Sequence, residues 1–275
     1  MNSASRTIQH RLAHFILQLR RHLGYLDDSV AIVTGANRGI GEAFVHALLE
    51  AGAAKVYIGT RKKENALMLE QSYPGRAVAI PLDVTSEKSV AAAAEACGDV
   101  NLVINNAGAF CNELLLSAST MDAARHEMAV NYFGPLAMAR AFEKILSTNG
   151  GGSILNVLSV GAIIAVPNMG GYSPSKFAAH ALTTILRAEL SQQGTHVGCL
   201  IVGSVDTRMA AHVGGRKENP STIAKAGLAA LRNDMREMDT DEFAITMRAA
   251  LHRDPATLEE RLADAVYATE VHTGR

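Results

Sequence analysis

The sequence predicts an α/β fold in which helices cover both faces of a doubly wound parallel sheet. Three observations predict it. Short apolar runs alternate with amphipathic helical stretches along most of the chain. A glycine-rich turn, Thr34-Gly35-Ala36-Asn37-Arg38-Gly39-Ile40-Gly41, directly follows the first apolar run. The 275 residues are 48% hydrophobic but only 5% aromatic, with no Trp, which suits the aliphatic core of a buried parallel sheet. Together these describe a Rossmann-like single domain.

The β-branched run Val30-Ala31-Ile32-Val33 predicts the first strand, and the amphipathic stretch 42–51 predicts a helix after the glycine turn. Strands are expected at 55–59, 77–80 and 100–104, with helices at 63–72 and in the Ala-rich segment 86–96. A long helical stretch spans 118–146, followed by a strand at 153–158, a helix at 174–191 and a strand at 196–202. This alternation builds βαβ units with right-handed crossovers. The stretch 204–221, with Gly214-Gly215, has no clear period and reads as a lid after the sixth strand. From Ile223 the pattern is helical and breaks at Asp254-Pro255, with a seventh strand near Arg236-Glu237-Met238. The domain is expected over 29–275, lid included.

Residues 1–28 place Ile8, Leu12, Phe15, Ile16, Leu19 and Leu23 on one helix face, with Arg6, Arg11, Arg20 and Arg21 and no acid before Asp27. This is expected to be an amphipathic helical extension packed on the domain or on a neighbouring subunit. A membrane-surface helix and a mitochondrial presequence are the alternatives.

The net charge of −1 offers no electrostatic footprint for nucleic acid. No apolar run reaches membrane-spanning length, and no signal peptide is recognised. Cys97, Cys111 and Cys199 are odd in number and widely spaced, which provides neither a disulfide framework nor a zinc pair and points to the reducing cytoplasm. His10 and His14 have i, i+4 spacing, but Arg11 stands where a zinc protease needs Glu, so no metal site is expected.

The glycine turn brings backbone N–H groups and the positive end of a helix dipole to a point where a pyrophosphate would sit. Its spacing, G-x-x-x-G-x-G, also occurs in turns that bind nothing. Asn105-Asn106-Ala107-Gly108 ends the fourth strand with small residues, leaving space where open sheets bind ligands. Tyr172 and Lys176 are four apart, so an ammonium can lie near the phenol and lower its pKa from ~10, preparing it for proton transfer. Solvated Tyr–Lys pairs share this spacing. Asn131 also reads as a surface residue within a helical stretch, and Ser159 as a turn serine. Ser173 and Pro174 suit a helix start.

In combination the motifs resemble the single-domain branch of the short-chain dehydrogenase/reductase family. They are Thr34-Gly35-x-x-x-Gly39-x-Gly41, Leu82-Asp83-Val84-Thr85, Asn105-Asn106-Ala107-Gly108, Asn131, Ser159 and Tyr172-x-x-x-Lys176, and the match is firm over about 29–210. The resemblance implies that Tyr172 is the general acid/base and that Lys176 lowers its pKa and holds the nicotinamide ribose. It implies that Ser159 hydrogen-bonds the substrate oxygen and that Asn131 holds a water relaying protons to Lys176. For the cofactor it implies Gly35, Asn37, Arg38, Gly39, Ile40 and Gly41 at the turn, Asp83 and Val84 near the adenine, and Asn106, Ala107 and Gly108 as the floor. Val205 and Thr207 would lie towards the carboxamide. One departure is Val202-Gly203, where the family usually has Pro-Gly.

Charge argues for NADP over NAD. The second strand ends Gly59-Thr60-Arg61-Lys62 with no acid for a ribose hydroxyl, and Arg38 and Arg61 suit a 2′-phosphate, although a solvated basic turn would read the same. The expected activity is NADP(H)-dependent hydride transfer to or from a small-molecule carbonyl or alcohol, namely an apolar ketone or aldehyde or a secondary alcohol. A non-catalytic NADP-binding sensor or scaffold is the alternative. Segments expected to flank the pocket supply Phe110, Leu114, Leu115, Ile163, Ile164, Val166, Met169 and Met209, with only Glu113 and Arg208 as nearby charges. Some of these serve equally as core or subunit packing. The resemblance further implies a homodimer or homotetramer packed through the helices at 118–146 and 174–191.

Overall fold

The computed structural model describes residues 26–211 and 213–273, without the side chains of Asn168 and of 265–273. The helix expected in the first 28 residues, and the His10–His14 pair, fall outside the described residues except at 26–28, which form a turn.

Seven strands form one sheet: β1 Val30–Thr34, β2 Lys55–Thr60, β3 Ala77–Pro81, β4 Leu102–Asn105, β5 Ser153–Val157, β6 His196–Ile201 and β7 Glu237–Asp239. Their order is β3-β2-β1-β4-β5-β6-β7 and every pairing is parallel. The helices are α1 Gly39–Glu50, α2 Leu67–Ser72, α3 Glu87–Ala96, α4 Asp122–Met128, α5 Gly134–Thr148, α6 Tyr172–Glu189, α7 Pro220–Arg232, α8 Glu242–Arg253 and α9 Pro255–Thr273. None among the described residues is long and apolar enough to cross a membrane.

Each strand sends alternate side chains to opposite faces, and both faces are apolar. Ala31, Val33, Ile58 and Ile104 meet Phe44 and Leu48 of α1 and Ile223 and Leu228 of α7 on one face. Ile32, Val103 and Ile154 meet Val90 of α3, Met138 and Phe142 of α5, and Leu182 and Leu186 of α6 on the other. A third cluster packs Ala244 of α8 and Leu258 of α9 on Leu158, Val160 and Ile164, just after β5.

The seventh strand is present, and Asp254 breaks the C-terminal helical pattern as expected. The stretch 63–72 opens with a 3₁₀ turn, Lys63–Ala66, before α2. The long helix expected at 118–146 begins only at Asp122 and is interrupted by a π-helical turn, Ala129–Phe133. Pro135 has no N–H to offer the Asn131 carbonyl four residues back, so a regular α-helix could not run through this point.

The segment after β6 closes at its base. Asp206 N–H donates to the Glu218 carbonyl and Glu218 N–H to the Ser204 carbonyl, each at 2.8 Å. Asn219 then caps α7, with Pro220 in the first turn. Edge strand β7 is held by charge. Arg248 of α8 bridges Asp239 at 2.7 Å and Glu237 at 2.5 Å, and His180 of α6 meets Glu237 at 2.5 Å. The His180 bond foremost, with Arg248, pulls the Glu237 carboxyl down to about 2.

Candidate active site

The strand order reverses direction between β1 and β4, and the crevice above such a point is where open parallel sheets bind ligands. The two strand ends are tied together there. The buried Thr34 hydroxyl accepts from the backbone N–H groups of Asn106 at 3.0 Å and Ala107 at 2.9 Å. The Asn106 carboxamide donates back to the carbonyls of Thr34 at 2.9 Å and Gly35 at 3.2 Å. Asn106 therefore braces the underside of the glycine turn, with its amide committed to the protein.

The turn itself depends on glycine. Gly35 and Gly39 have φ of +63° and +58°. A Cβ on Gly41 would lie 2.5 Å from both the Asn106 amide nitrogen and the Gly35 carbonyl. Beyond it, α1 starts with Arg38 at its N-cap and no side-chain cap, so its first-turn N–H groups have no intrahelical acceptor. Bare backbone close to a helix start, with exposed Arg38 and Arg61 beside it, fits an anionic dinucleotide. Among the described residues neither guanidinium has a carboxylate at ion-pairing distance, although Arg61 acts on Asp83 from further off. Asp83 and Val84 follow β3; the Thr85 hydroxyl and N–H bond Asp83 Oδ1 and hold its carboxyl below the usual range. The segment after β6 folds back onto this region, Thr207 lying against Gly39 and Met209 against Gly108, while Val205 is buried in the core.

Ser159, Tyr172 and Lys176 converge above β5. Ser159 follows the strand in extended backbone and its hydroxyl accepts from Gly161 N–H at 3.1 Å. Tyr172 opens α6 with its ring beside Gly161, close enough for the Ser159 hydroxyl to act on its phenol. Gly171 is the N-cap of α6; Ser173, expected to cap it, instead accepts from Val166 N–H at 3.2 Å. The Phe110 ring packs edge-to-face on Tyr172 with centroids 5.2 Å apart. The buried Lys176 ammonium sits 5.6 Å from the centre of the Tyr172 ring and donates to the Val157 carbonyl at 3.0 Å.

The expected lowering of the phenol pKa is not what these residues produce. Burial pushes Tyr172 up to about 12; the Ser159 hydroxyl opposes this and the negative Glu127 adds to it. Lys176 lies over the ring, and burial pulls its own ammonium down to about 8. The side chains alone thus leave the phenol protonated at neutral pH.

Asn131 lies in the π turn. Its amide donates to the Ala109 carbonyl and to Ser175 Oγ, both at 2.9 Å, and its oxygen accepts from Ala109 N–H at 2.9 Å. Ser175 Oγ passes on to the Tyr172 carbonyl at 2.7 Å. The Asn131 side chain is thus spent on positioning. Among the residues expected to line the pocket, Ile164 belongs to the core, while Leu115 and Met209 are exposed. Leu114 and Leu115 border a separate small cavity with Met121, Ala124 and Gly171.

Three contributors have no stated role in the sequence reading: Thr34, Ser175 and Glu127. The first two lie inside the quoted motifs. Glu127 had a weaker signal, a charged residue three positions before Val130 on the inward helix face.

The profile of the short chain dehydrogenase family matches residues 29–218. A short chain dehydrogenase from Burkholderia cenocepacia J2315, crystallised in complex with NADP, is 40% identical, has a TM-score of 0.81, and the match covers 86% of this chain and 98% of that one. An uncharacterized oxidoreductase of Staphylococcus aureus (strain USA300) is 32% identical over 213 residues, 75% of this chain and 92% of its own length. A dehydrogenase/reductase SDR family protein 7-like from Anopheles gambiae is 28% identical over 205 residues, 70% of this chain, and the match spans 64% of that longer protein.

Replacing Thr34 with Val keeps the shape but leaves the Asn106 and Ala107 N–H groups without their acceptor. The expected loss is roughly 1–3 kcal/mol per unsatisfied donor, read as a lower urea midpoint at unchanged m-value.

Proposed function

The chain belongs to the short-chain dehydrogenase family, and we propose that it is an NADP(H)-dependent oxidoreductase of the carbonyl reductase and alcohol dehydrogenase type. The observation that carries this reading is the grouping of Ser159, Tyr172 and Lys176 at the same end of the parallel sheet as the glycine turn. When bound, NADPH supplies the hydride. Ser159 and Tyr172 present two hydroxyls to one carbonyl oxygen, and the phenol, held protonated at neutral pH, gives up its proton to that oxygen. Lys176, fixed by the Val157 carbonyl, keeps positive charge at the phenol's side and holds the ribose. The Asn131 backbone carbonyl, denied an α-helical donor by Pro135, accepts a water that relays a proton to Lys176.

The charge argument for NADP is supported by exposed Arg38 and Arg61 and by the NADP held by the Burkholderia relative. The substrate is an apolar ketone or aldehyde, or the matching secondary alcohol. Supporting this, partly buried Phe110 packs on the Tyr172 ring and partly buried Met169 lies against Gly161, while Ile163 and Val166 pack on the core behind and α9 covers the turn Pro167–Met169. The chain assembles as a homodimer or homotetramer. In support, Phe177 and Ile185 stand exposed on α6, with Phe133 exposed just before α5. The proposed location is the cytoplasm, consistent with three free cysteines. The catalytic domain is the part expected at 29–275, extended back to Leu26, which is buried in the same core as β1 and α1.

Tyr172→Phe should remove carbonyl reduction while NADPH still binds with near wild-type affinity, because the ring remains and only the titrating hydroxyl is lost. Substantial residual turnover would exclude Tyr172 as the proton donor. The double change Arg38→Ala with Arg61→Ala should weaken NADPH by about tenfold or more relative to NADH, measured by titration at one ionic strength. Equal wild-type affinity for the two cofactors would overturn the preference. Across a size-matched panel at saturating NADPH, kcat/KM should favour apolar ketones and aldehydes over 2-oxo acids and sugar phosphates, since an anionic substrate needs a desolvated cation facing it. A clear preference for the anionic members would overturn the proposed substrate class.

A further inference from the structure

We infer that Glu127 is a positioning residue for this site, clamping the segment after β4 to the start of α6 around Tyr172. This rests on the reading of Tyr172 as acid/base. Glu127 lies on α4, is 2% exposed, and belongs to none of the motifs that define the site. Its Oε1 accepts from the Cys111 backbone N–H at 2.7 Å. Its Oε2 lies against Gly171, where a Cβ would come within 2.7 Å of it and within 2.6 Å of Ala124 Cα.

The neighbours of those two contacts are the site itself. Phe110, adjoining Cys111, packs its ring on Tyr172, and Tyr172 adjoins Gly171. The Glu113 carbonyl presses on Gly170, at φ +46°, so closely that no side chain fits there. The glycine pair before Tyr172 is thus where α4, the 110–113 segment and α6 meet. An apolar side chain would serve the packing there at less desolvation cost than a carboxylate. What the acid adds is an acceptor for Cys111 and a negative charge beside the phenol.

The groups facing Glu127 are Cys111 and Glu113 from the loop segment, His126 from its own helix, and Tyr172 from α6. Those facing Tyr172 are Ser159, Glu127 and, from one turn further along α6, Lys176. Burial raises the Glu127 carboxyl, with the Cys111 N–H and His126 opposing and Glu113 reinforcing. Once ionised, Glu127 raises Tyr172 in turn. Carbonyl reduction uses the protonated phenol and is lost as pH rises through the phenol pKa, so a neutral residue at 127 moves that loss to lower pH.

The test compares pH profiles of NADPH-dependent carbonyl reduction by the wild-type chain, Glu127→Gln, Glu127→Ala and Tyr172→Phe. Glu127→Gln keeps volume and an acceptor oxygen but removes the charge, and its alkaline limb should move down by roughly half a unit to one unit. Glu127→Ala also strips the acceptor from Cys111 and should raise KM for the carbonyl substrate by about fivefold or more. A purely structural role would leave the Gln profile on that of the wild type, and that result overturns the inference. If Glu127→Ala does not fold, the Gln profile decides alone. An active Tyr172→Phe overturns the acid/base reading, and this inference with it. An inactive Tyr172→Phe with an unmoved Gln limb overturns the Glu127 role only.

Discussion

The bond that the site depends on is the stitch between β1 and β4. Neighbouring parallel strands whose crossovers leave in opposite directions part at their C-terminal ends, and the gap would expose backbone donors to a buried setting. The Thr34 hydroxyl takes two of those donors, and the Asn106 carboxamide returns two bonds to the turn above. That closure sets the height and tilt of the glycine turn over the sheet. Gly41 must lack a side chain because Asn106 already occupies the space a Cβ would take. The phosphate-facing side of the turn is therefore a consequence of what lies beneath it.

The chemistry of the proposed site follows from competition between burial and charge. Burying a phenol and an ammonium together drives each towards its neutral form, Tyr172 up to about 12 and Lys176 down to about 8. At neutral pH Lys176 is mostly charged and Tyr172 is protonated, the state a carbonyl acceptor requires. The pairing of Tyr172 with Lys176 is geometric first, through one helix face and the Val157 carbonyl. The polar groups around it, Asn131 and Ser175, connect the π turn to the Tyr172 carbonyl and fix where α6 begins.

The periphery holds this centre without entering it. Arg248, Asp239, Glu237 and His180 join α8, β7 and α6 in one polar cluster, pinning the edge of the sheet to the helix that carries Tyr172 and Lys176. Asp241 caps α8 and also accepts from Gly203 N–H at 2.8 Å, which anchors the point where the chain leaves β6. The C-terminal helices α8 and α9 pack on the segment that follows Ser159, so residues beyond the matched family profile complete the core there.

The sequence by itself determined the order of strands and helices, the parallel sheet and the positions of the motif residues, because periodicity, glycine spacing and i, i+4 geometry are local properties. The π turn escapes the sequence reading, which runs one helix through 118–146 although Pro135 sits inside it. Only the tertiary structure decided how those residues are used. The direction of the Tyr172 shift depends on what buries it, and Glu127 and Phe110 reach it from segments 45 and 62 residues away, distances that no local period encodes. Asn131 looked available until Ala109 and Ser175 claimed its amide, and Ile164 looked like pocket until α8 and α9 covered it. Desolvation and partner choice are properties of the packed whole, so they became visible only once the chain was folded.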